Sequence, residues 1–256
     1  MIVDCHTHWG DCYQQQDGSD PTRWLEMLDR YGVTHGLVMP HIGLAHAGRI
    51  PLDNNQVAAA CARSNGRMIP CCTVHPHDRD EALAELNRCL TELGYRAIKF
   101  HPWLQGFSIN TAVMDEICQI AAEHDAPIIF HDGTPPYSLP SQMALLARRH
   151  PHTQIVLGHF GLFEHWREAM AAMAYADNVW GCLCSPYPAA MRQLVRRCDP
   201  SRLVWGTDTG FSFADMMGYR LRLMDMLDLT DDDRHAIFEA NPVRLLGLKP
   251  DDTRED

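Results

Sequence analysis

The chain lacks the features that would take it to a membrane, to nucleic acid or to an oxidising compartment. No apolar run approaches the roughly 20 residues needed to cross a bilayer. The opening stretch MIVDCHTHWG has neither the basic region nor the apolar core of a signal peptide, so a soluble, cytoplasmic protein is expected. Basic residues are in deficit: 22 Lys and Arg stand against 33 Asp and Glu, a formal charge of -11. Binding to a phosphate backbone needs clustered cations, so neither nucleic acid nor a membrane is an expected partner. Cysteine is plentiful at ten, but no CxxC spacing occurs, which argues against a zinc knuckle or a thioredoxin-type site. Cys61, Cys89, Cys118 and Cys198 fall on expected inward helix faces, and Cys71, Cys72, Cys182 and Cys184 read as small core residues. Also missing is a glycine-rich turn after the first strand. That position reads HTHWGD, which speaks against an open doubly wound sheet.

What is present is a repeating pattern over 256 residues, 46% of them hydrophobic, enough for a sizeable core. Eight short runs rich in Val, Ile, Leu or Phe are expected strands: Met1–His8, Val33–Pro40, Met68–His75, Tyr95–His101, Pro127–His131, Gln154–His159, Val179–Cys184 and Leu203–Asp208. Such near-continuous apolar runs suit parallel strands covered on both faces. Amphipathic segments alternate with them. Asp20-Pro21 offers a helix cap and a first-turn proline. Leu83, Leu86, Leu90 and Leu93 make one apolar stripe stopped by Gly94, and Phe163, Trp166, Met170 and Met173 make another. Asp231 can cap a last helix carrying Ile237 and Phe238. Eight βα units in this length predict an α/β fold, a single (β/α)8 barrel over residues 1–250, followed by an acidic tail at 251–256.

The polar residues fall at one end of that pattern. His6 and His8 close strand 1, His131 strand 5, His159 strand 6 and Asp208 strand 8. Barrel active sites form at the C-terminal ends of the strands, so these side chains share one mouth. His6 and His8, two apart, share a strand face. Three imidazoles and a carboxylate suit a zinc-like ion with a position left for water or substrate. Each residue alone reads equally well as a hydrogen-bonded core or surface group; their placement on four separate strands is what points to a metal. Lys99 and His101 lie on strand 4, where the pair could bind substrate or bridge a second ion. Aromatic or basic residues on strand-end loops, Trp9, Arg49, Trp103, Tyr137, Tyr187 and Phe211, are candidate pocket walls, with Arg49 able to pair with a carboxylate.

The motifs DCHTH (Asp4 to His8), GHFG (Gly158 to Gly161) and WGTD (Trp205 to Asp208) resemble the amidohydrolase superfamily, and within it the amidohydrolase-2 branch. The segments IKFHPWLQGF (Ile98 to Phe107), FHDGTPP (Phe130 to Pro136) and EANPVRLL (Glu239 to Leu246) extend the likeness along the chain. The resemblance implies one divalent ion, usually zinc, with manganese or a second ion as alternatives. It implies His6, His8, His131 and Asp208 as ligands, and His159 beside the reacting water. Lys99 occupies the place of the lysine that binuclear members carbamylate; a cationic substrate anchor and a structural ion-pair partner are the other roles open to it. Thr209-Gly210 departs from the sequence many relatives carry after the aspartate. The expected function is hydrolysis of an amide, ester or lactone in a small substrate, with Asp208 and His159 catalytic. Non-oxidative decarboxylation of a small unsaturated or aromatic acid is the alternative, and an inactive ligand-binding barrel the second. Family members are often homodimers, and the same is open here.

Overall fold

A computed structural model describes residues 1–9, 20–41, 44, 46–210 and 215–248. Eight strands alternate with helices: β1 (Val3–Trp9), β2 (His35–Pro40), β3 (Met68–Cys72), β4 (Ala97–Phe100), β5 (Ile128–Phe130), β6 (Ile155–Leu157), β7 (Val179–Cys182) and β8 (Leu203–Val204). Every neighbouring pair is parallel and the spatial order is the chain order. The ends meet through backbone bonds from Cys5 N to Trp205 O (2.9 Å), Asp208 N to His6 O (2.8 Å) and His8 N to Thr209 O (2.8 Å). The expected (β/α)8 barrel is the fold. Among the described residues no helix is long and apolar enough to cross a membrane. The expected acidic tail lies outside the described residues, as does Phe211.

Alternation along the strands sorts side chains into two apolar layers. Leu37, Met39, Ile129, Val156, Trp180 and Val204 fill the barrel with Cys71 and Cys182, and Leu245 and Leu246 close its floor. Val38, Ile98, Phe100, Ile128, Phe130, Ile155 and Leu157 face outward onto the helices. Flanked by outward Ile98 and Phe100, Lys99 turns into the barrel and is buried, as the period of two requires.

The helical ring comprises α1 (Thr22–Tyr31), α2 (Ile50–Ala62), α3 (Arg79–Thr91), the short α4 (Pro102–Gln105), α5 (Ala112–Glu123), α6 (Pro140–Arg149), α7 (Trp166–Tyr175), α8 (Pro188–Arg197), α9 (Met216–Asp225), α10 (Asp231–His235) and α11 (Asn241–Leu245). The leucine stripe buries Leu86 and Leu90 on α3, and Gly94 follows at φ +70°. Three local expectations need correction. Asp20 is not the N-cap of α1: Pro21 holds that position without a side-chain cap bond and the helix starts at Thr22, while Asp20, one residue farther out, accepts from Thr22 N (3.1 Å). The cap of α10 is Thr230, whose hydroxyl accepts from Asp233 N (3.0 Å), because a hydroxyl one residue earlier reaches that amide. Phe163 is not on the α7 stripe: the helix begins at Trp166, and Phe163 sits 62% exposed in the preceding loop.

Candidate metal centre

The chain leaves the sheet before most of its polar residues arrive. His131 stands one residue past β5, His159 two past β6 and Asp208 four past β8, so they belong to loops rather than strand ends. Asp208 adopts φ +61°, a left-handed conformation that Asp and Asn tolerate better than most residues. Gly210, at φ +104°, comes so close to His8 that a Cβ would lie 2.5 Å from its carbonyl oxygen.

The histidine pair depends on an irregularity. Val3 and Cys5 face the barrel interior, so strict alternation would send His6 and His8 outward. The β1–β2 register shifts between Asp4 and Thr7, and a bulge-type shift of this kind re-aims the side chains that follow. Asp4 secures the irregular turn. Fully buried, its carboxylate accepts from His6 N (3.0 Å), Thr207 N (3.1 Å) and the Thr207 hydroxyl (2.6 Å). The aspartate of DCHTH and the threonine of WGTD therefore join β1 to the loop carrying Asp208. Asp132 does the same for His159: it accepts from His159 N (2.6 Å) and Gly161 N (2.5 Å). Burial raises Asp4 to about 7 and Asp132 to about 6.

Within this frame His6 Nδ1 donates to Gly158 O at 3.0 Å. That fixes the tautomer and leaves a lone pair on Nε2, the arrangement metal-binding histidines use. His6 Nε2 lies 3.6 Å and His8 Nε2 3.1 Å from Asp208 Oδ1. Ligands about 2.05 Å from a tetrahedral ion stand ~3.3 Å apart, so the two separations bracket the value a bound ion requires. Burial lowers the His6 and His8 pKa values, keeping both rings neutral. Burial pushes Asp208 up, but the His8 hydrogen bond and the adjoining His159 and His6 outweigh it and hold the carboxyl well below its usual range. Neutral imidazoles and an ionised carboxylate are the protonation states a divalent ion needs, and the donor set fits one.

Among the described residues two triads have ligand atoms all within 4.8 Å of one another: His6, His8 and Asp208, and His6, His159 and Cys184. His131 joins neither. Its ring stacks on His101 (centroids 3.8 Å, 12° between planes) and meets His159 edge-on at 4.2 Å, and its Nε2 lies 3.2 Å from the Thr134 hydroxyl. The four expected ligands thus form a tight group of three with His131 in the adjoining layer. Cys184 is buried as expected of a core residue, yet its thiol is a neighbour of His6 and His159, which its sequence context did not reveal. His159 Nδ1 is 2.7 Å from the Ser185 hydroxyl, another partner without a sequence signal. Lys99 Nζ donates to His6 Nε2 at 3.0 Å; burial lowers its pKa, with Asp208 opposing.

The candidate wall residues differ in exposure. Trp9 is buried in the core, Trp103 is 54% exposed with its ring 6.0 Å from His101, and Tyr137 and Tyr187 are partly exposed. Arg49 is paired with Asp53 on the first turn of α2 at 3.1 Å.

A family model described as amidohydrolase, of the amidohydrolase-2 branch, matches residues 3–248. The chain belongs to that family. Solved structures share the fold at low identity. The 2,6-dihydroxybenzoate decarboxylase from Rhizobium is 17% identical with a TM-score of 0.75 over 96% of this chain and 98% of its own. The 4-oxalomesaconate hydratase from Rhodopseudomonas palustris is 16% identical, TM-score 0.73, over 96% of each chain. A dihydroxybenzoic acid decarboxylase from Polaromonas sp. JS666, solved with bound manganese and 2-nitroresorcinol, is 13% identical, TM-score 0.73, over 99% of each. No curated protein matches the sequence.

Proposed function

We propose that this amidohydrolase-family chain is a divalent-metal-dependent hydrolase of a small amide, ester or lactone, with His6, His8 and Asp208 holding the ion and His131 completing its surroundings. The observation that carries the reading is the approach of two imidazole nitrogens to one carboxylate oxygen, at 3.1 and 3.6 Å. Zinc suits the nitrogen-rich donors; manganese, bound in two solved neighbours, suits the carboxylate. When bound, the ion supplies Lewis acidity, polarising the substrate carbonyl and making water acidic enough to react near neutral pH.

The chain's own groups supply the rest. Asp208, a quarter exposed at its side chain, accepts a proton from the attacking water and returns it to the leaving group. With the Ser185 hydroxyl donating to Nδ1, the His159 Nε2–H is available to stabilise the oxyanion. Lys99, buried with its Nζ 3.0 Å from His6 Nε2, would give up that hydrogen bond when an ion takes the Nε2 lone pair, and its ammonium then adds positive potential where negative charge develops.

A second reading, decarboxylation of a small unsaturated or aromatic acid, is favoured by the neighbours named decarboxylases. There the same cation-rich mouth would hold the substrate carboxylate while a buried proton donor serves the ring carbon. A panel of lactones, amides and hydroxybenzoates given to zinc- and manganese-loaded protein separates the two. Acid release without gas supports hydrolysis, and CO2 release with loss of ring absorbance supports the second. No turnover on any substrate class with a fully loaded protein contradicts both.

A further inference from the structure

Ser185 stands between the candidate centre and an open cavity. Its hydroxyl lies 2.7 Å from His159 Nδ1, and the residue, although only 7% exposed, lines a cavity of about 590 Å³. A serine within hydrogen-bond reach of an imidazole that is itself held in place is the arrangement that activates a weak nucleophile. The hold on His159 is firm. Its backbone N–H donates to Asp132 Oδ1 (2.6 Å), and its ring lies 4.7 Å from that of His6 and meets His131 edge-on at 4.2 Å between centroids. Phe160 and Leu162, just beyond it, adopt φ of +46° and +52°, a region bulky side chains enter only where the surroundings impose it. Ser185 is restrained as well: it precedes Pro186, which narrows its backbone freedom, and α8 begins at Pro188.

The cavity suits a small uncharged ester. Phe163, Tyr187, Tyr219 and Met216 give it apolar walls. Of its charged residues, Asp215 and Arg222 neutralise each other at 3.0 Å. Arg220 lines the same space with its Nε buried and without a hydrogen bond. Its guanidinium leaves positive potential in a cavity where acyl transfer would develop an oxyanion.

We propose that Ser185 and His159 form a nucleophile–base pair that gives the chain a second, metal-independent activity, acyl transfer from small uncharged esters entering this cavity. Ser185 Oγ bonds to the ester carbonyl carbon as its proton passes to His159 Nδ1. The bond from that carbon to the alkoxy oxygen breaks, and the leaving group takes the proton from Nδ1. Water then attacks the acyl-serine, Nδ1 accepts a proton from it and returns it to Oγ, and the carboxylic acid departs. The activity stands apart from the metal reading, because the attacking atom is a side-chain oxygen.

Two probes test it, each given to the protein as purified and after chelator treatment. Diisopropyl fluorophosphate traps an activated serine, with a P–O bond formed and fluoride released, and peptide mass spectrometry locates the adduct. p-Nitrophenyl acetate reports the rate through released nitrophenolate. Both forms should carry the phosphoryl adduct on Ser185 and release nitrophenolate. Ser185→Ala should lose both signals at an unchanged thermal midpoint, and His159→Gln should react at least ~10²-fold more slowly. The adduct is mapped on the wild type, so the test survives a variant that fails to fold. An unmodified Ser185 in both forms overturns the proposal, whichever other side chains react. So does an adduct that forms only with an ion bound, or one whose rate is unchanged in His159→Gln. A modified Ser185 in a protein that takes up no divalent ion supports the pair and would sink the metal reading alone.

Discussion

Gly158 offers a sharp test of how the barrel presents His6. A Cβ at this position would lie 2.5 Å from Phe130 O, 3.0 Å from His6 Cε1 and 3.2 Å from Ile129 Cγ2. The first obstacle is backbone, so relief requires β5 and β6 to part by about 1 Å to restore ordinary contact. That movement strains the bond from Gly158 N to Phe130 O (2.9 Å) and carries away the carbonyl that holds His6 Nδ1. Overpacking costs ~1–3 kcal/mol and a weakened hydrogen bond about 1 kcal/mol. The lower entropy of an unfolded chain with alanine offsets ~0.4–1 kcal/mol. Gly158→Ala should therefore be ~1–3 kcal/mol less stable by urea unfolding. It should also bind its metal ~10–100-fold more weakly, as loss of a ligand-orienting partner does. Gly48→Ala, where a Cβ meets open space, should be neutral or slightly stabilised. A Gly158→Ala protein with wild-type stability and metal affinity would refute the coupling of β6 to His6.

Other outcomes follow from the same geometry. Asp208→Asn keeps a residue suited to φ +61°, so the fold should persist with turnover reduced at least ~10²-fold; near-normal turnover contradicts the proton-transfer role. Lys99→Met should leave metal content unchanged while lowering turnover ~10²–10³-fold; a fall from two ions to one would assign the lysine to a carbamate bridge instead. Burial lowers His101 to about 3, below the ordinary unfolded value of ~6.5. The folded form therefore takes up fewer protons, and its stability declines as pH falls below 6.5. At pH 5 the loss attributable to His101 is about 2 kcal/mol, so metal-free His101→Phe should show a flatter stability profile between pH 7 and 5. A profile parallel to the wild type would remove His101 as the cause.

The barrel was legible because its strands are apolar on both faces and punctuated by helices, a pattern that survives small errors in boundary. Less legible was where the strands end. Hydrophobic runs continue into loops, so His131, His159 and Asp208 read as strand termini although the backbone has already turned. The residues that orient the centre carry weaker signals still. Asp4 and Asp132 do their work by accepting backbone N–H groups across 203 and 27 positions of chain, and no local period encodes such a bond. Ser185 and Cys184 acquire their meaning from β7 lying beside β6, a tertiary fact. Phe163 followed the α7 stripe in sequence, yet the loop peels it away into the cavity wall. Arg49 stood out as a basic loop residue, but a carboxylate four positions later claims it; Arg220, on a helix, gave no such sign.

The most direct measurement is the metal content of the purified protein by emission spectroscopy, for the wild type and for His6→Ala, His8→Ala and Asp208→Asn. One zinc or manganese per chain in the wild type, falling toward zero in all three variants, is the predicted result. Wild-type occupancy in the variants, or no uptake of any divalent ion by the native chain, would contradict a metal held between those side chains.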